Sequence, residues 1–266
     1  MKIEEKISIY LNEGRSKEVD FQFAADFINK KCRKAATGTP IYRGNRKLDK
    51  DFYYINPKTS DDRVSPWADY NYYNLLLSNL PSWKEYPKRS KSIVCTTSYD
   101  EANGRNSLPY PYRVFPVDGA DIGVCPAWDI WDSFQDALDG NDLSDFNYVL
   151  RQFLENTSEL FEEPVELHGS DKNYPKFIRL TQKIDELDKS KLDFYDIDNR
   201  GWLDNWKTSN YPFLYYLNKL LSPKENGFKI VKSGAIITGG TKEVWTNSEC
   251  IMVIDKKTLS ILETEE

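Results

Sequence analysis

A guanidinium, a cluster of hydroxyls and a single carboxylate, each at the edge of an apolar run, are the groups in this 266-residue chain best suited to chemistry. Tyr42-Arg43-Gly44 closes a short apolar stub. Arg43 there offers a planar fork of donors that matches a phosphate and stays charged at any working pH. Gly44 carries no Cβ and lets a ligand approach the backbone closely. Ser92-Ile93-Val94-Cys95-Thr96-Thr97-Ser98 is β-branched in the middle and ends in three hydroxyls. Glu243 follows Gly239-Gly240-Thr241-Lys242 and precedes Val244-Trp245, a carboxylate at a strand entry beside a flexible turn. A carboxylate so placed can oppose positive charge as it develops in a transition state.

In this order the three stretches resemble the Arg-Ser-Glu signature of the bacterial toxin-like mono-ADP-ribosyltransferases. The resemblance implies an ADP-ribosyltransferase-like α+β fold with a split two-sheet β core. It implies NAD as the substrate, with no metal. The nicotinamide–ribose bond would break through an oxocarbenium-like state, comparable to that of glycoside cleavage, and ADP-ribose would pass to a macromolecular acceptor. Carried over residue by residue, Glu243 is the catalytic carboxylate and Thr96 and Ser98 brace it. Arg43 holds the NAD phosphates, Gly44 meets the nicotinamide amide, and Thr97 shapes the sheet. Tyr99 and Tyr112, close by in sequence, are candidates to stack on nicotinamide or adenine. Two positions depart from the pattern. Thr96 stands where serine is usual, and Thr241 stands where Glu or Gln is usual, which argues against arginine as the acceptor. Glu249, in Ser248-Glu249-Cys250-Ile251, is the fallback carboxylate, but its preceding loop is shorter and lacks the double Gly.

Composition narrows the alternatives. The one histidine, His168, lies in a polar, loop-like context, so Ser-His-Asp and Cys-His catalysis are disfavoured and His168 reads as a surface residue. Cys32, Cys95, Cys125 and Cys250 are scattered, without a Cys-x-x-Cys pair, which suits a reducing compartment rather than a zinc site or disulfide framework. The charged start, Met1-Lys2-Ile3-Glu4-Glu5, is not a signal peptide, and no apolar run is long enough to span a bilayer, so a cytoplasmic protein is expected. No Gly-rich phosphate loop of the Walker or dinucleotide-fold type is present.

Charge is unevenly spread. Residues 1–115 hold 20 Lys/Arg against 14 Asp/Glu, a balance of +6; residues 116–266 hold 16 against 28, a balance of −12; together these give the net −6. The basic part, with Arg43, Arg46, Lys47 and Lys50, suits an anionic ligand such as a dinucleotide. The run from Asp118 to Asp145 holds eight Asp and no Lys or Arg. It reads either as a solvated face or as a docking face for a basic partner. Overall acidity favours protein over nucleic acid as the acceptor. A transferase acting on RNA or DNA as a toxin or defence factor remains open, as does a binding protein that keeps the fold without turnover.

The elements that must position these groups follow from periodicity. A helical period covers residues 17–34 within an N-terminal helical segment 1–36, and another covers 67–80. Strands are expected at Pro40–Gly44, Ser92–Thr97, Tyr112–Pro116 and Asp121–Cys125, with Asp118-Gly119 as a hairpin turn. Residues 127–221 form a mostly helical insertion, with helices near 128–139, 144–161, 174–188 and 211–221. Strands return at Phe228–Val231, Ala235–Thr238, Glu243–Trp245 and Cys250–Ile254. Strands at both ends with helices between them make a single α+β domain over 1–266.

Overall fold

Short runs of β-branched and aromatic residues pair into one antiparallel sheet, and the register of that sheet decides where each candidate group points. The computed structural model describes residues 16–44, 48–59, 71–104, 111–159, 170–192, 196–258 and 262. The chain divides into two compact units, residues 1–63, 86–129 and 229–266, and residues 64–85 and 130–228. The second is wider than the expected insertion, because the helix near residue 75 belongs to it.

The first unit holds the strands β1 (Lys17–Glu18), β2 (Ile41–Arg43), β3 (Phe52–Ile55), β4 (Ile93–Thr96), β5 (Tyr112–Pro116), β6 (Asp121–Val124), β7 (Lys229–Lys232), β8 (Glu243–Thr246) and β9 (Cys250–Ile254). Their order across the sheet is β1-β3-β9-β5-β2-β4-β8-β6-β7. Two expectations change here. The strands form one hydrogen-bonded sheet rather than two, and its narrowest junction is a seam where β2 meets β4 through the single pair Tyr42↔Thr96. Asp118-Gly119 does make a turn, with the Ala120 amide donating to the Val117 carbonyl (3.1 Å). That turn is no hairpin, since β5 pairs with β2 and β9 while β6 pairs with β7 and β8. Asp118 instead ties the turn to the helices, accepting from the Lys34 and Ala35 amides (2.9 and 3.3 Å).

The two faces of the sheet bury different sets, as the two-residue strand period requires. Ile41, Cys95, Tyr112, Val114, Val244 and Met252 pack together on one face. Phe52, Phe115, Ile251 and Val253 lie on the other, under helix α1 (Phe21–Lys31) and helix α2 (Arg33–Thr37). Helix α1 starts where Asp20 accepts from the Phe23 amide (2.8 Å), and buries Ala24, Ala25, Phe27 and Ile28. Lys30 and Lys31 in its last turn complement the negative end of the helix dipole.

The second unit is built from α3 (Tyr72–Asn79), α5 (Leu143–Glu159), α6 (Tyr174–Asp185), α7 (Gly201–Thr208) and α8 (Phe213–Leu220); α4 (Tyr99–Gly104) belongs to the first. Phe153, Trp202, Trp206 and Phe213 form an aromatic centre, with Trp206 and Phe213 edge to face at 4.7 Å. The helix expected near 128–139 is replaced by hydrogen-bonded turns. Phe134 still buries its side chain, which accounts for the helix-like spacing of apolar residues there. Ala235–Thr238 is likewise not a strand: Gly234 at φ +89° turns the chain as β7 ends, and Ile236 is 71% exposed. No helix among the described residues is long and apolar enough to cross a membrane.

Trp245 shows how closely the β6–β8 part of the sheet is fitted. It sits opposite Gly123, where an added Cβ would lie 2.3 Å from the indole ring. Only a residue without a side chain lets the indole lie across β6. The ring cannot slide away, because its Nε1 donates to the Pro87 carbonyl (2.7 Å) and Tyr86 stacks on it. Gly123→Ala is therefore expected to destabilise the protein by roughly 1–3 kcal/mol through overpacking, read as a lower urea midpoint at unchanged m-value.

Candidate functional site

Tyr42, Thr96 and Glu243 stand in one row across the adjacent strands β2, β4 and β8, since Tyr42 pairs with Thr96 and Thr96 with Glu243. Paired residues on neighbouring strands share a face, so these three side chains emerge on the same side at the seam. Tyr99, on the first turn of α4, brings its ring edge-on to Tyr42 at 5.7 Å. The fold thus gathers Tyr42, Thr96 with its near neighbour Tyr99, and Glu243 from three distant stretches of sequence.

Arg43 departs from this row. It stands one residue beyond Tyr42, and strand alternation turns it to the opposite face, where its positive charge acts on the Cys250 thiol. Its guanidinium donates through Nη1 to the Val94 carbonyl. That carbonyl points toward β2, because β4 bonds β8 through its odd-numbered residues, a pattern continued by the Thr97 amide donating to Lys242 (3.0 Å). Arg43 therefore staples the seam where the backbone ladder stops. Gly44 directly follows β2 and is half-buried. Tyr112 also leaves the site: it is 1% exposed in the core of the opposite face, and its hydroxyl donates to the Lys50 carbonyl (2.7 Å). Burial raises its pKa, with the neighbouring Tyr53 adding to the effect. Proximity in sequence misled here because β2 lies between β5 and β4.

The hydroxyls are engaged by the backbone. Thr96 Oγ1 accepts from the Ser98 amide (3.1 Å) and Thr97 Oγ1 from the Lys242 amide (2.9 Å). Ser98 Oγ accepts from the Glu101 amide (3.2 Å), capping α4. Thr96 and Ser98 therefore shape the strand end and the helix start, and neither hydrogen-bonds the Glu243 carboxylate.

What meets the carboxylate is a residue without a sequence signal. Arg89 Nη2 lies 2.7 Å from Glu243 Oε1, with side-chain exposures of 2% for Arg89 and 13% for Glu243. Arg89 stands in the basic run Lys88-Arg89-Ser90-Lys91, which has the composition of a solvated turn. The run instead folds as a 3₁₀ turn, and the Ser92 hydroxyl fastens its base by donating to the Lys88 carbonyl (2.8 Å). The guanidinium carbon lies 5.5 Å from the Trp245 ring centroid, in cation–π range. The buried Cys125 thiol is 3.7 Å from the same carboxylate oxygen, and the Cys125 amide donates to the Glu243 carbonyl (2.9 Å).

Glu249 does not share this setting. Its side chain is 39% exposed at the start of β9, 3.9 Å from Lys31 Nζ. His168, Arg46 and Lys47 lie outside the described residues. Within the acidic run 118–145, Asp118 caps α2, Asp121 pairs with Lys232 (2.7 Å), and Asp142 caps α5 by accepting from the Ser144 and Asp145 amides (2.6 and 3.0 Å). Among the described residues no group of His, Cys, Asp and Glu is arranged to hold a metal ion. A cavity of about 20 Å³ lined by Ile41, Val114, Ile122 and Ile237 belongs to the face opposite Glu243, and has room for a water but no nucleotide.

The chain matches no protein-family model, no curated protein and no solved structure.

The Ser98 cap yields a direct test. Ser98→Ala should cost about 0.5–2 kcal/mol of stability, while Ser98→Asp, an equally good cap, should restore most of it. Thermal melts of the two variants check this.

Proposed function

We propose that the chain binds NAD at the seam and cleaves its nicotinamide–ribose bond, transferring ADP-ribose to a macromolecular acceptor. The observation that carries this reading is the row Tyr42–Thr96–Glu243 on three adjacent strands, which leaves a partly exposed carboxylate one strand away from the narrow β2–β4 seam. As the C1′–N bond breaks, its electron pair leaves with nicotinamide and positive charge grows on the ribose. The Glu243 carboxylate faces that charge and stabilises it. The acceptor's nucleophile then bonds to C1′ and releases its proton to solvent. Tyr42 and Tyr99, edge to face beside Thr96, offer aromatic surface for the nicotinamide or adenine ring. Arg43 supports the site by holding the seam, and Gly44 leaves its strand end open to close approach.

A protein acceptor is favoured over RNA or DNA, because the net charge of −6 opposes a polyanionic backbone. The second reading is a nucleotide-binding or interaction protein without turnover. It is favoured by the hydroxyls of Thr96 and Ser98, which serve backbone amides rather than the carboxylate.

Incubation with NAD labelled in the adenylate half, with and without cell lysate, separates the readings. The transferase reading expects nicotinamide release by the wild type. Glu243→Gln should be about 100- to 1000-fold slower with little change in NAD affinity, and Glu249→Gln should be near wild type. Label that survives protease and is lost to nuclease would move the acceptor to nucleic acid. NAD binding without nicotinamide release in any lysate would establish the second reading.

A further inference from the structure

We infer that Arg89 is a positioning residue for Glu243, one that holds the carboxylate ionised and aimed along the seam; this rests on the transferase reading above. The pair is not a surface ion pair. Arg89 is 2% exposed, and among the described residues its Nε and Nη1 have no hydrogen-bond partner. A guanidinium so sealed has little water to spread its charge into, and the carboxylate 2.7 Å away takes most of its field. The geometry is held by a chain of contacts through Trp245. Trp245 supports the guanidinium from below, the Pro87 carbonyl pins Trp245 through its indole N–H, and Gly123 leaves the space in which that indole lies flat.

The cation is almost fully enclosed while the anion keeps an exposed edge, with side-chain exposures of 2% and 13%. The contact is made to one oxygen, Oε1, which also accepts from the Cys125 thiol. Arg89 and Cys125 thus both grip Oε1, which anchors that end of the carboxylate. A carboxylate held in this way needs no reorientation when charge develops in front of it.

Two substitutions separate charge from aim. Arg89→Lys keeps a cation but loses the planar fork over Trp245, so kcat for nicotinamide release should fall about 10- to 100-fold. KM for NAD should stay near wild type, and the acid limb of the pH–rate profile should keep its place. Arg89→Met fills the space over Trp245 without charge. Glu243 then ionises less readily, so the acid limb of kcat should move to higher pH, because the carboxylate must be ionised to act. If Arg89→Met does not fold, the Lys variant carries the test: wild-type kcat in Arg89→Lys would overturn the proposal. So would an Arg89→Met enzyme that folds and keeps the wild-type acid limb. Titration of Glu243 by carboxyl-¹³C NMR reads the same coupling without turnover. If the wild type releases no nicotinamide, the transferase reading fails by itself. The Glu243 midpoint then decides whether Arg89 controls its ionisation: a higher midpoint in Arg89→Met upholds that control, and an unchanged one sinks it.

Discussion

Between β2 and β4 the backbone ladder narrows to the one pair Tyr42↔Thr96, and most of the candidate site follows from that narrowing. Each strand is fully engaged on its other edge, β2 with β5 and β4 with β8. The Val94 carbonyl is therefore left without a strand partner on the β2 side, and a half-buried carbonyl is best satisfied by a donor there. The Arg43 guanidinium supplies it. The cost is that Arg43 is spent on architecture, and the charge next to Glu243 has to come from elsewhere in the chain. It comes from Arg89, on a turn that folds over the same face of the sheet.

A buried ion pair is a poor source of stability, because desolvation offsets most of the attraction. The setting of Arg89 and Glu243 reduces that offset in a specific way. The Trp245 ring supplies a polarisable face where water would otherwise be needed, and the thiol of Cys125 supplies a weak donor. Removing either charge alone would strand the other. The pair, the indole and the glycine beneath it behave as one unit, so substitutions at Arg89, Gly123 and Trp245 should not add independently.

Several elements were legible in the sequence because local chemistry decides them. Tyr112–Pro116 and Cys250–Ile254 are strands with the expected bounds, and Glu243 does begin a strand. The order of those strands was not legible, because pairing is a long-range choice. The turn at Asp118-Gly119 looks like a hairpin, yet its carboxylate prefers the amides of α2 and the two strands part. Arg43 was visible as a guanidinium at a strand end, but a shift of one residue reverses the face, and nothing local reports which face is which. Phe52–Ile55 was missed as a short strand whose partner, β9, arrives about two hundred residues later. Arg89 was hidden by its neighbours: three polar residues around it imitate a solvated turn.

The order of the strands also has a bearing on how the chain matures on the ribosome. Strand β9 lies between β3 and β5, and β8 lies between β4 and β6. Both are made after residue 242. Until they emerge, β1-β3, β5-β2-β4 and β6-β7 are separate fragments, each with open edges and apolar faces. A nascent chain in that condition is exposed to pairing with its neighbours on a polysome. The helical unit, complete by residue 228, can fold first, whereas the sheet closes only after translation has passed the last strand. Glu243 and Arg89 meet in that same closing step, so the carboxylate acquires its partner only once the whole sheet exists.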